Sequence, residues 1–99
     1  MKQLTFKHLL LPEARVKDPT YLVTISRGGH TVETFGSYVC YMQDVETYCL
    51  TYLRSFLDMD DEQIEDYIIT VTMGDVVCSR IRYDNKTDKF IKVNNDGNT

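Results

Sequence analysis

The stretch QDVETYCLTYLRSFL, Gln43 to Leu57, decides the fold, because it is long and periodic enough for a helix and has strand patterns on both sides. Val45, Cys49, Leu53 and Phe56 fall at i, i+4, i+8 and i+11, with Tyr52 beside them. That spacing makes one apolar stripe on a helix. Asp44 is the expected N-cap, its carboxylate reaching the N–H groups of Glu46 and Thr47, and Glu46 adds favourable charge to the first turn. The stripe needs a sheet to lie on.

On the N-terminal side, QLTFKHLLL at residues 3–11 reads as a strand that Pro12 ends, and the polar run to Pro19 reads as a loop. Tyr21 to Ser26 is rich in β-branched and aromatic residues, and Gly28-Gly29 is a two-residue hairpin signal. That turn predicts Ile25 opposite Val32, Leu22 opposite Phe35 and Thr24 opposite Glu33. Gly36 marks a bend or bulge, after which SYVCYM, Ser37 to Met42, continues extended.

On the C-terminal side, Asp60 and Gln63 stand in capping-box relation and open a short helix whose apolar side is Ile64, Tyr67 and Ile68. From Ile69 the period switches to two, and Gly74-Asp75 suits a type II′ turn. The register then sets Val71 against Cys78 and Met73 against Val76 on one face, and Thr70 against Ser79 and Thr72 against Val77 on the other. Leu53 and Phe56 are expected to pack on the face carrying Val71 and Cys78. A last strand, Lys89 to Val93, turns Ile91 and Val93 inward. The order β-β-β-α-α-β-β-β predicts an α+β fold, an antiparallel sheet of about five to six strands with one main helix on one face. Residues 1–93 form a single domain and 94–99 a flexible tail.

Composition is that of an ordinary globular domain, with 42% apolar and 26% charged residues among 99. No run approaches the roughly 18 apolar residues of a membrane span. The apolar run Leu9 to Leu11 is too short for a signal-peptide core, which leads us to expect a cytoplasmic protein. Cys40, Cys49 and Cys78 are odd in number and form no C-x-x-C pair, so they are expected as free thiols on apolar faces. His8 and His30 have no metal-ligand spacing to each other or to any cysteine, and neither a metal nor a cofactor is expected.

The net charge of −4 is unevenly spread, with residues 44–74 alone carrying −7. Six of the nine residues in DMDDEQIED are acidic: Asp58, Asp60, Asp61, Glu62, Glu65 and Asp66. This layout argues against a protein that binds a phosphate backbone directly. Asp58, Asp60 and Glu62 occupy positions one, three and five of a calcium-loop count. Gln63 stands where that loop needs glycine and Ile69 where it needs the bidentate glutamate. No Cys–His or Ser–His pair has a motif partner, and Gly28-Gly29 leads into a strand, never into the helix N-terminus a phosphate loop requires. Tyr38 and Tyr41 lie in a stretch expected to be extended, so one of them points away from the helix and offers an aromatic contact.

Val93 to Asn98, VNNDGN, resembles a strand-end turn in the small acidic α+β anti-CRISPR proteins that block a type II effector nuclease. The resemblance transfers no functional residue. It implies a class, a compact acidic protein that presents carboxylates to a basic nucleic-acid groove. The expected function is therefore non-catalytic: a stoichiometric inhibitor or regulator of phage or mobile-element type, with homodimerisation expected. Its contacts would be Asp58, Asp60, Asp61, Glu62, Glu65, Asp66, Tyr38 and Tyr41, on a basic partner such as a nucleic-acid-processing protein. The alternative is a small enzyme or ligand-binding domain with a pocket between helix and sheet.

Overall fold

Gly28 and Gly29 both take left-handed backbone, with φ of +58 and +85, and turn β2 (Tyr21–Arg27) back into β3 (His30–Ser37). A two-residue turn with positive φ at both positions favours glycine, which has no Cβ to clash. Gly74, at φ +61, opens the matching turn from β4 (Ile68–Met73) into β5 (Val76–Asp84). The two hairpins join through β2 and β4. With β1 (Leu11–Pro12) and β6 (Lys89–Lys92) they form a six-stranded sheet, antiparallel throughout, in the order β1-β3-β2-β4-β5-β6. The structure is a computed structural model and describes residues 10–12 and 15–93. Residues 3–9 of the strand predicted at 3–11, and the predicted tail 94–99 with all of VNNDGN but Val93, lie outside the described residues. Pro12 does not end β1 but belongs to it, which an edge strand tolerates because no neighbour needs its N–H.

Both hairpins carry one residue more than the two-residue turns predict. Ser26 faces Thr31 but Ile25 faces Glu33, so Val32 is the extra residue and the expected Ile25–Val32 pair does not form. Beyond the bulge Val23 faces Phe35, Leu22 faces Gly36 and Thr24 faces Thr34, which replaces the other two expected pairs. The shift places Phe35 on the face of Val23 and Ile25, all three buried. In the second hairpin Met73–Val76 and Thr72–Val77 pair as expected. Cys78 is then the extra residue, Val71 faces Ser79, Thr70 faces Arg80, and Cys78 is exposed instead of lying in the core. Tyr83 faces Phe90 on the core side, so Phe90 packs inward and Ile91, opposite Arg82, is exposed.

Gly36 makes neither bend nor bulge; it stays paired between Leu11 and Leu22. A Cβ there would meet the Pro19 ring at 3.0 Å and the Val16 Cβ at 3.2 Å, so glycine lets the segment carrying Val16 and Pro19 press on the sheet's reverse face. The stretch SYVCYM leaves the sheet after Ser37, whose hydroxyl donates to the Val39 carbonyl and accepts from the Val39 N–H. That local turn ends β3 and brings the chain to α1 (Met42–Thr51), whose N-cap lies three residues before the predicted Asp44. Tyr41 is the N-cap, without a side-chain cap bond, and Asp44 lies in the first turn.

Val45, Tyr48, Cys49 and Leu53 are buried on the sheet with Val23, Ile25, Phe35, Ile69 and Val71. Phe56 is not, at 59% exposed. Residues Tyr52–Phe56 form a π-helical turn closed by Leu57 N–H to the Tyr52 carbonyl at 3.1 Å. Phe56 therefore continues the row of Tyr48 and Tyr52, its ring 5.6 Å from Tyr52, and that row has run past Phe35 by then.

The short α2 (Asp61–Ile64) is opened by the predicted capping box, Gln63 N–H to Asp60 Oδ1 at 2.8 Å and Asp60 N–H to Gln63 Oε1 at 3.0 Å. Ile64 and Tyr67 are buried as expected, whereas Ile68 starts β4. Asp60→Ala is expected to cost about 1 kcal/mol; urea unfolding measures it, with the β-sheet circular dichroism unchanged.

Candidate functional site

The strand register collects apolar side chains at one end of the sheet. Ser37 pairs with Tyr21, Leu22 pairs with Thr72, and Met73 pairs with Val76, which puts the end of β3, the start of β2 and the β4–β5 turn on one edge. Tyr38, Val39 and Tyr41 leave the sheet there. Of the nine exposed large hydrophobic residues among those described, six belong to this end: Tyr38, Val39, Tyr41, Met73, Val76 and Val77. Val76 and Tyr38 are both 58% exposed. The Tyr38 hydroxyl donates to the Lys17 carbonyl, which ties one ring to the loop below it. Cys40 is half-buried here, its thiol pushed up by burial and then by the neighbouring Cys78.

Sequence reading singled out Tyr38 and Tyr41 but missed Val39, Met73, Val76 and Val77. The available signal was local. Met73 and Val76 flank a two-residue turn, where a hairpin tip projects past its neighbours, so apolar residues there are exposed by construction.

The six acidic residues lie at the other end of β2. Asp66 meets Arg27 at 3.9 Å, both side chains largely exposed, and β2 runs seven residues from there to Tyr21, roughly 20 Å at a strand's rise. The structure does not bring Tyr38 and Tyr41 together with the acidic run. Four of the six carboxylates serve the fold itself. Asp60 caps α2, and Asp61 takes two hydrogen bonds from Arg54 at 2.9 and 3.1 Å. Glu65 accepts the Asn85 N–H at 2.6 Å, and Asp66 faces Arg27. Asp58, in left-handed backbone at φ +55, and Glu62 have no side-chain partner among the described residues. Such exposed ion pairs add little stability but leave a strongly negative local field.

A cleft of about 350 Å³ opens between α1 and the β5–β6 hairpin, lined by Glu46, Thr47, Leu50, Tyr83, Asp88, Lys89 and Phe90. The Tyr83 hydroxyl donates to Asp88 and accepts from Arg54 Nη2 at 3.2 Å. Its pKa is raised, first by the bond to Asp88 and then by burial. Glu46 has no partner among the described residues, and partial burial raises its carboxyl pKa. A carboxyl whose pKa is higher folded than unfolded binds more protons in the folded state, so stability falls as pH rises between the two values. Glu46→Gln is therefore expected to raise the melting temperature slightly at neutral pH. The gain disappears below the unfolded carboxyl pKa, which thermal melts across a pH series measure.

Among the described residues no group of three or more His, Cys, Asp or Glu side chains is placed to hold a metal ion, and no helix is long and apolar enough to cross a membrane. Comparison with protein-family models, with curated proteins and with solved structures found no match.

Proposed function

We propose that this chain is a non-catalytic protein-binding module, an inhibitor or regulator that docks its partner on the apolar end and draws a basic partner in with the acidic end. The gathering of six exposed large hydrophobic side chains at one end of the sheet supports the reading. Water-exposed apolar surface on this scale is costly to keep, and covering it with a partner releases that cost. Aromatic residues at the centre of such a patch serve as anchors. The acidic end contributes the approach: a field of one sign raises the association rate with an oppositely charged protein and is screened by salt. A cytoplasmic setting suits the three free thiols. Homodimerisation is proposed alongside the basic partner, with part of the apolar end as the surface that pairs two copies.

Quantitative affinity capture from source-cell lysate, with binding kinetics on the captured protein, tests this. Tyr41→Ser with Val76→Ser is expected to weaken binding on the order of 100-fold through faster dissociation, the loss of two anchors, with the urea midpoint unchanged. Asp58→Asn with Glu62→Gln is expected to slow association and flatten its salt dependence without changing dissociation. For homodimerisation, sedimentation of the purified chain is expected to show a dimer that the first pair of substitutions dissolves. Full binding by the Tyr41 and Val76 variant would overturn the reading.

A further inference from the structure

We propose that the cleft between α1 and the β5–β6 hairpin binds a small organic cation, an ammonium group carried on an apolar body. Its volume of about 350 Å³ lies at the lower end of the range for small-molecule sites, about 300–1,000 Å³. Two carboxylates, Glu46 and Asp88, face one ammonium, Lys89, so the lining carries net negative charge. No salt bridge joins Lys89 to either of them among the described residues, which leaves the charges uncompensated within the cleft.

The polar groups divide into a positioned set and an open one. Tyr83 is saturated, donating to Asp88 and accepting from Arg54, so it holds Asp88 in place. Asp88 sits in left-handed backbone at φ +56 and keeps its second oxygen available as an acceptor. Among the described residues Glu46 makes no hydrogen bond or ion pair, and burial already disfavours its charge. A cation at this point supplies what the site lacks. An anion would meet two carboxylates, a neutral ligand would leave Glu46 uncompensated, and a divalent metal finds no third ligand among the described residues.

The apolar lining sets the rest of the ligand. Leu50 closes the helix side, and the rings of Tyr83 and Phe90 meet edge to face at 5.6 Å on the hairpin side. The Arg54 guanidinium already lies over the Tyr83 ring, 5.5 Å from its centroid, so it is the Phe90 ring whose quadrupole attracts an ammonium ion, while both rings shelter a hydrocarbon body. The ligand class is thus an arylalkyl or alkyl amine.

The test is a titration of the isotope-labelled chain followed by amide NMR, with phenethylamine, phenylacetate and 2-phenylethanol as probes that share one apolar body. Phenethylamine is expected to give saturable shifts at Glu46, Thr47, Asp88 and Phe90, with the other two probes weaker by roughly tenfold or more, the worth of one charge-assisted hydrogen bond. Glu46→Gln, whose unchanged remaining spectrum shows that it is folded, is expected to weaken the amine by a similar factor. The Tyr41 and Val76 variant is expected to bind the amine as the parent does, so failure here and failure of the protein-binding reading are distinguishable. Equal binding of amine and phenylacetate, saturable shifts away from the cleft, no saturable shift in the millimolar range, or an unaffected Glu46→Gln variant would each overturn the proposal.

Discussion

Phe35→Ala is expected to remove about 3–5 kcal/mol from the unfolding free energy. The ring is 2% exposed and stands edge to face against two helix rings, Tyr48 at 4.9 Å and Tyr52 at 5.3 Å. One side chain of β3 therefore holds two successive positions of the helix row onto the sheet. Truncation opens a cavity and also removes both ring pairs, each worth about 0.5–1.5 kcal/mol beyond area burial. Domains of this size hold only about 5–15 kcal/mol in total, so the urea midpoint should fall by roughly a fifth or more. Phe56→Ala is the internal control. Its ring is mostly in water, and its loss should cost well under about 1 kcal/mol; equal losses for the two would remove the sheet contact as the explanation.

Leu53→Ala is expected to cost about 2–5 kcal/mol. The residue is fully buried in the cluster that includes Ile64, Ile69 and Val71. Its carbonyl accepts the Met59 N–H at 2.9 Å, a backbone bond that the substitution keeps. The lost stability then reports side-chain packing alone. Chemical denaturation measures it, and amide exchange at Met59 shows whether the turn persists. Both core variants should weaken partner binding only in proportion to the unfolded fraction, whereas the Tyr41 and Val76 variant should weaken it at full stability. That contrast separates folding from docking.

Local chemistry made much of the fold legible. Gly28-Gly29 and Gly74-Asp75 announce their turns, Asp60 and Gln63 their capping box, and the change of period at Ile69 the return to strand, because each signal acts within a few residues. The bulges at Val32 and Cys78 were not legible, since a two-residue turn fixes register only until an extra residue is accommodated for the sake of the core face. The π turn escaped for a related reason: the stripe through Phe56 assumes uniform helix pitch. The apolar end was half legible. Tyr38 and Tyr41 stood out by type, but Met73 and Val76 join them only through the β2–β4 pairing, more than thirty positions along the chain. The cleft has the same origin, one wall from α1 and the other from the last hairpin.

The displaced Cys78 gives the molecule a graded set of chemical reporters. Cys78 is in water, Cys40 is partly covered, and Cys49 is fully enclosed with its thiol pushed up by burial. Alkylation proceeds through the thiolate and needs access, so a maleimide should consume the three in that order. Cys49 becomes reactive only when α1 lifts from the sheet, so its labelling rate in the native protein counts the openings of the core. Cys78 reads the other boundary. A protein seated over Met73 and Val76 shields the thiol two residues on, and the half-life of that one sulfur marks occupancy of the surface without any tag being added.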